Sequence, residues 1–251
     1  MVISVINQKG GTGKTTTSHN LGVGLAMKNK SVLMIDLDPQ ANLTYSLGIN
    51  DPEFSLTDIL YNDKSINEVI QKVGKVDIIP SDIGLANTEL FLFEQENREF
   101  LLRDKLKGIE KDYDFIIIDC QTSLSVLTIN ALAASQWVLV PIQLTIFSIK
   151  GLDLIITTIQ NVKENLNDDL SLLGVLPVMI DKRRKLTAEI LDLIKENFDI
   201  RIFDSHISNS VRVAEAPSFG ISAIEYDANS KASKNYITFT SEFLKVIKSI
   251  S

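Results

Sequence analysis

Residues 8–17 read Gln-Lys-Gly-Gly-Thr-Gly-Lys-Thr-Thr-Thr, and these types at this spacing suit one task, holding a chain of phosphates. Gly10, Gly11 and Gly13 let the backbone take positive φ and gather several N–H groups, with those of Thr12, Lys14, Thr15 and Thr16, around an anion. Lys14 falls where an ammonium bridges the β- and γ-phosphates. Thr15 falls where a hydroxyl completes the shell of a Mg²⁺ held mainly by phosphate oxygens and water. The K-G-G-x-G-K-T spacing is the compact, deviant form of the Walker A box. Lys9 lies too early to grip the same phosphates, so it is expected to reach a nucleotide held by a second copy of the chain. A dimer around nucleotide follows from that reach.

Three aspartates complete the chemistry. Ser31–Asp36 is an apolar run that ends in Asp36 and, two residues on, Asp38, so both carboxylates can face one side of a sheet. Phe115-Ile116-Ile117-Ile118 ends in Asp119, the Walker B pattern. Phosphoryl transfer to water needs the γ-phosphate held, its charge neutralised and a water aligned opposite the leaving oxygen. Lys9, Lys14 and Mg²⁺ are assigned the neutralisation, Asp38 the water, and Asp36 and Asp119 the surroundings of the metal.

These groups need a scaffold that brings several loops to one edge. Strand-like runs at Val2–Asn7, Ser31–Asp36, Val76–Pro80, Asp114–Asp119, Trp137–Pro141 and Leu172–Met179 alternate with helical patterns at Thr15–Lys28, Ser123–Ala134, Ile149–Asn165 and Lys185–Asn197. Alternation of this kind predicts an α/β fold, a mostly parallel twisted sheet with helices on both faces. Ligands then bind at the carboxyl ends of the strands. Residues 51–75 and 82–110 read as short, charged helical pieces without a motif, Ser65–Val73 among them. The Lys231–Ile250 tail presents a broad apolar face expected to dock on the body.

The whole chain, residues 1–251, is expected to be one P-loop ATPase domain. Its apolar runs are of strand length, so none spans a bilayer, and the N-terminus enters a strand without a signal peptide. Cys120 is the single cysteine, which excludes an intramolecular disulfide or a cysteine cluster within one chain. His19 and His206 form no ligand pattern. A net charge of −7 argues against a nucleic-acid partner at face value, but Lys182-Arg183-Arg184-Lys185 is a dense local run of cations.

Taken with Asp38-Pro39-Gln40-Ala41-Asn42, Ile118-Asp119-Cys120, Val140-Pro141-Ile142-Gln143 and above all Val211-Arg212-Val213-Ala214-Glu215-Ala216-Pro217-Ser218-Phe219-Gly220, these motifs resemble the ParA family of DNA-partitioning ATPases, of the Soj type. The resemblance covers nearly the whole chain, in the small form that lacks an N-terminal DNA-binding domain. It implies a weak ATPase that forms a homodimer with ATP sandwiched at the interface, binds DNA non-specifically in that state, and lets go after hydrolysis stimulated by a ParB-type centromere-binding partner. Plasmid or chromosome partitioning follows, in the cytoplasm and on the nucleoid in the ATP state. Family DNA-contact arginines map onto Arg183 and Arg212, with Lys182 and Arg184 beside the first, and the adenine is expected near Met179 and Ser208.

The chain departs from that pattern where the family usually has Asp-Cys-Pro-Pro-Ser, since Gln121-Thr122 stand in place of two rigid prolines. Ser208-Asn209-Ser210 also replaces a usual Pro-Arg-Asn. The nearest rival reading is a MinD-like ATPase that holds a membrane through its C-terminal helix, against which no stable membrane association is expected here. A P-loop metabolic enzyme and a regulatory module that keeps its ATP are the others.

Overall fold

The computed structural model describes residues 1–181 and 185–250. Among them are seven strands, six from the apolar runs and β3 besides: β1 (Val2–Val5), β2 (Val32–Leu37), β3 (Gln71–Val73), β4 (Val76–Ile79), β5 (Phe115–Cys120), β6 (Trp137–Gln143) and β7 (Ser171–Val178). They lie in the order β3-β4-β2-β5-β1-β6-β7. Neighbours are parallel throughout except β3 with β4. Parallel strands need crossovers, and helices on both faces supply them, so the strands' carboxyl ends share one edge.

β1, β2 and β5 are buried along their whole length, as strands covered on both faces must be. Their side chains alternate between two cores. Leu33, Ile35, Ile116 and Ile118 join the cluster that includes Leu127, Ala131 and Leu132 of helix Val126–Ala134 and Leu152 of helix Ile146–Asn165. Val32, Met34, Phe115 and Ile117 join the cluster with Leu21 and Leu25 of helix Lys14–Ala26 and with the tail helix Lys231–Ile250. Even residues of β2 and odd residues of β5 therefore face helix Lys14–Ala26, and Asp36 and Asp119 have that parity.

Helix Lys14–Ala26 is pressed between sheet and tail. A Cβ on Gly22 would stand 2.5 Å from Met34 Sδ, and one on Gly24 would stand 2.3 Å from Thr240 Oγ1. Each glycine costs the helix about 1 kcal/mol in propensity, which the close packing offsets. The tail's apolar face, with Tyr236, Phe239 and Phe243 fully buried, packs edge-on against Phe115 and Phe203 at ring separations of 5.7 and 5.0 Å. The tail is thus committed to the core. No helix among the described residues is long and apolar enough to cross a membrane.

The segment read as helical over Ser65–Val73 is different. Its helix is only Ile66–Val69, and Gln71–Val73 turns back as β3 against β4 through Gly74, whose φ is 58°. The two-residue Gly74-Lys75 connection is what forces this, because a hairpin that short needs positive φ. Other helices start later or earlier than their patterns suggest: Val126 rather than Ser123, and Ile146 rather than Ile149. In the first case Ser125 caps the helix by accepting from the Leu127 amide.

Candidate nucleotide site

The glycine loop leaves β1 and is tied to β6 before it turns. Asn7 Nδ2 donates to the Pro141 carbonyl at 2.7 Å, the Lys9 amide donates to Asn7 Oδ1 at 3.0 Å, and Thr12 Oγ1 donates to the Lys9 carbonyl at 3.0 Å. Gly11 and Gly13 take φ of 71° and 73°, whereas Gly10 does not take the positive φ allowed to it. Gly13 is also the N-cap of helix Lys14–Ala26 and offers no side chain to cap it. The first-turn N–H groups and the helix's positive end are left to an anion. A Cβ at Gly10, Gly11 or Gly13 would meet nothing within 4 Å, so the ground above the loop is open.

That ground is a cavity of about 800 Å³, lined by 10–16, by Asp38, Pro39 and Gln40, by Gln121 and Thr122, and by Met179 with Val213, Ala216 and Pro217. Its size suits a nucleotide. Lys14 is 7% exposed; burial lowers its pKa, opposed by the charge of Asp119 and then by Cys120 and Asp38. A desolvated ammonium of this kind interacts strongly with phosphate. Lys9 is exposed and outside the lining, its Nζ donating to Gln143 Oε1 at 3.2 Å at the end of β6.

The two strand-terminal aspartates sit opposite each other in the β2–β5 ladder and are both fully buried. Burial pushes both pKa values up, and for Asp36 the neighbouring Asp119 pushes further. Asp119 Oδ1 accepts from Ser18 Oγ at 2.8 Å. Its Oδ2 is buried without a hydrogen-bond partner of ordinary geometry, although the Thr15 side chain lies close enough to lower the carboxyl's pKa. An orphaned carboxylate oxygen beside the Thr15 hydroxyl is a hard-oxygen pair that fits Mg²⁺, and a divalent ion there would favour the ionised carboxylate. Among the described residues no group of three or more His, Cys, Asp or Glu could hold a metal alone.

Asp36 departs from its expected place. Its Oδ2 accepts from both the amide and the hydroxyl of Thr44, at 2.8 and 2.7 Å, and its Oδ1 accepts from the Asp38 amide at 3.2 Å. Both oxygens are committed within the protein, so Asp36 shapes the Asp38 loop and does not reach the cavity. Ser81 reinforces that loop, its Oγ donating to the Asp38 carbonyl at 2.8 Å. Ser18, Thr44 and Ser81 were not singled out by sequence. Thr44 carried only the signal of lying one turn into the segment after Asp38.

Met179, named from the sequence as a candidate neighbour of the adenine, lines the cavity with a φ of 56°. Ser208 does not: it is 7% exposed, bridged to Ile180, and its amide donates to Asn235 Oδ1 at 3.2 Å. The apolar wall comes instead from 213–223, whose motif was legible though its contact with the cavity was not. Arg212 is exposed on helix Val211–Glu215, with Nη1 at 3.0 Å from Glu215 and Nε at 3.7 Å from Asp227. Lys182, Arg183 and Arg184 lie outside the described residues.

A phosphate loop on the first strand, flanked by aspartates from two neighbouring strands of a parallel sheet, defines a P-loop NTPase of the deviant Walker A type. The family described as AAA domain matches residues 1–172. The chain is 41% identical over 245 residues to the sporulation initiation inhibitor protein Soj of Bacillus subtilis strain 168, covering 96% of this chain and 97% of that one. It is 38% identical over 248 residues to the chromosome partitioning protein ParA of Myxococcus xanthus, covering 97% and 88%. The chain belongs to the ParA/Soj family of partitioning ATPases. Among solved structures, a cobyrinic acid a,c-diamide synthase from Mycobacterium smegmatis with bound ATP analogue and magnesium superposes with a TM-score of 0.87 at 32% identity, over 100% of this chain and 96% of that one.

Proposed function

We propose that this chain is a single-domain ATP-dependent switch that pairs with a second copy around ATP and Mg²⁺, holds DNA non-specifically in that state, and lets go on hydrolysis. Support comes first from the phosphate cradle, whose Lys9 is turned outward to Gln143 instead of into its own cavity. A lysine on the rim can serve a nucleotide bound by the partner. Arg212 and the Lys182-Arg183-Arg184 run form the proposed DNA face. One such face per subunit gives a dimer two, and bivalency raises affinity without further charge. A ParB-type protein is the proposed trigger of hydrolysis, and the nucleoid the proposed address of the ATP form.

Within one subunit, Lys14 and the loop amides hold the phosphates, and Thr15 with Asp119 is the proposed seat of Mg²⁺, which supplies charge neutralisation when bound. Asp38 is the group that orients water, with Asp36, Thr44 and Ser81 fixing its loop. The burial of the tail's apolar face weighs against membrane attachment through that helix. The name carried by the M. smegmatis structure supports a second reading, a synthase; ATPase activity that rises with a small substrate and ignores DNA would favour it.

The test is a DNA-binding assay with ATP, ADP and no nucleotide on the wild type and on an Arg183→Glu/Arg212→Glu double variant. Binding that requires ATP, weakens steeply with salt and is lost in the variant supports the switch. Binding independent of nucleotide, or none at all, refutes it.

A further inference from the structure

β2 and β5 run in register, with Asp36 opposite Asp119 and Leu37 opposite Cys120. The next residues out, Asp38 and Gln121, directly follow the last paired residues of these adjacent strands. Both line the cavity above the glycine loop.

Each brings one oxygen to spare. Asp38 Oδ1 accepts from the Gln40 amide at 2.9 Å. Gln121 Nε2 donates to Ser125 Oγ at 2.6 Å, and Ser125 is itself fixed as the cap of helix Val126–Ala134. Among the described residues neither Asp38 Oδ2 nor Gln121 Oε1 accepts a hydrogen bond. A proline at 121, usual in the family pattern, could supply neither the tether nor the acceptor.

Attack in line with the leaving oxygen needs a lone pair of water aimed at phosphorus, which requires both O–H bonds to be held away from it. One acceptor leaves the water free to turn about its single hydrogen bond. Two acceptors fix it. We propose that Gln121 is a second water-orienting group, its Oε1 accepting one proton of the attacking water while Asp38 Oδ2 accepts the other; this rests on the reading of Asp38 given above. In the step itself the water oxygen bonds to the γ-phosphorus as the bond from that phosphorus to the β,γ-bridging oxygen breaks. The bridging oxygen leaves with the electron pair as part of ADP. One water proton stays on the new phosphate and the other passes to solvent.

The experiment compares ATP affinity, KM and kcat for the wild type, Asp38→Ala, Gln121→Leu and Gln121→Glu. Gln121→Leu keeps the side chain's bulk but not its oxygen, and is expected to lower kcat about tenfold or more, with KM and ATP affinity within about twofold. Gln121→Glu keeps an acceptor at the same reach and is expected to restore most of the lost turnover. The proposal falls if Gln121→Leu turns over as the wild type does, if it loses ATP affinity in step with kcat, or if Gln121→Glu is as impaired as Gln121→Leu. Turnover retained in Asp38→Ala takes down the reading of Asp38 and this proposal with it. An inactive Asp38→Ala beside a fully active Gln121→Leu removes this proposal alone.

Discussion

Asp38, the proposed water-orienting group, stands in a loop fixed largely by its neighbours. Its loop is held through backbone by Ser81 on its carbonyl and Asp36 on its amide, so truncating the carboxylate removes the bond from the Gln40 amide and leaves those two ties in place. Asp38→Ala is therefore expected to bind ATP within about threefold of the wild type and to lose on the order of 10²-fold or more in turnover; an equal loss of both in paired binding and turnover assays would make it a binding residue. His19 tells a different story on the same side of the sheet. It is 3% exposed, shares a hydrogen bond with Ser46 at 3.0 Å, and burial lowers its pKa from 6.5 to about 4, against a small opposing pull from Glu225. The folded protein thus binds this proton less readily than the unfolded chain does. The contribution is fully present above pH 6.5 and is lost as pH falls toward about 4. Between pH 7 and 5 the wild type should lose about 2 kcal/mol relative to His19→Val in urea melts. The buried Asp36 and Asp119, with raised pKa values, act in the opposite sense, equally in both proteins. Parallel pH profiles for the two would refute the assignment.

At the scale of elements, the contact between helix Lys14–Ala26 and the tail decides how firmly the phosphate loop is seated. Gly24→Ala drives a methyl into Thr240 and should destabilise the fold by about 1–2 kcal/mol, after about 1 kcal/mol is regained in helix propensity. An unchanged urea midpoint would mean that the tail gives way. The loop, the buried strands and the aspartates at their ends were legible in sequence because each has a local signature: glycines at fixed offsets, or an apolar run with a terminal carboxylate. β3 was not, since Gln-Lys-Val has no apolar alternation and becomes a strand only by pairing back through Gly74. Thr44 was not legible as the partner of Asp36, because a hydrogen bond across eight positions leaves no periodicity. Ser208 misled for the same reason, its neighbours being set by Asn235 on the tail. Gln121 was visible only as a departure from the family pattern, and the strand register gave it a neighbour.

Across the whole molecule, the net charge of −7 repels DNA at long range, so any affinity must come from local patches and fall with salt. Arg212 adds to this, since Glu215 and Asp227 already share its charge. The sheet that gathers the loops at one edge also separates that edge from the other. Trp137, the sole tryptophan, is the first residue of β6, paired with Ile3 and Ser171, while the loop is anchored toward the strand's far end. With about 3.3 Å per residue, β6 puts about 13 Å between Trp137 and the anchor at Pro141. Its fluorescence is thus a built-in gauge of unfolding that does not see the nucleotide. ATP should leave the native emission unchanged while raising stability by about 2.7 kcal/mol at a hundredfold excess over Kd. A spectral shift on adding ATP, before any denaturant, would mean that the floor of the sheet moves with its rim.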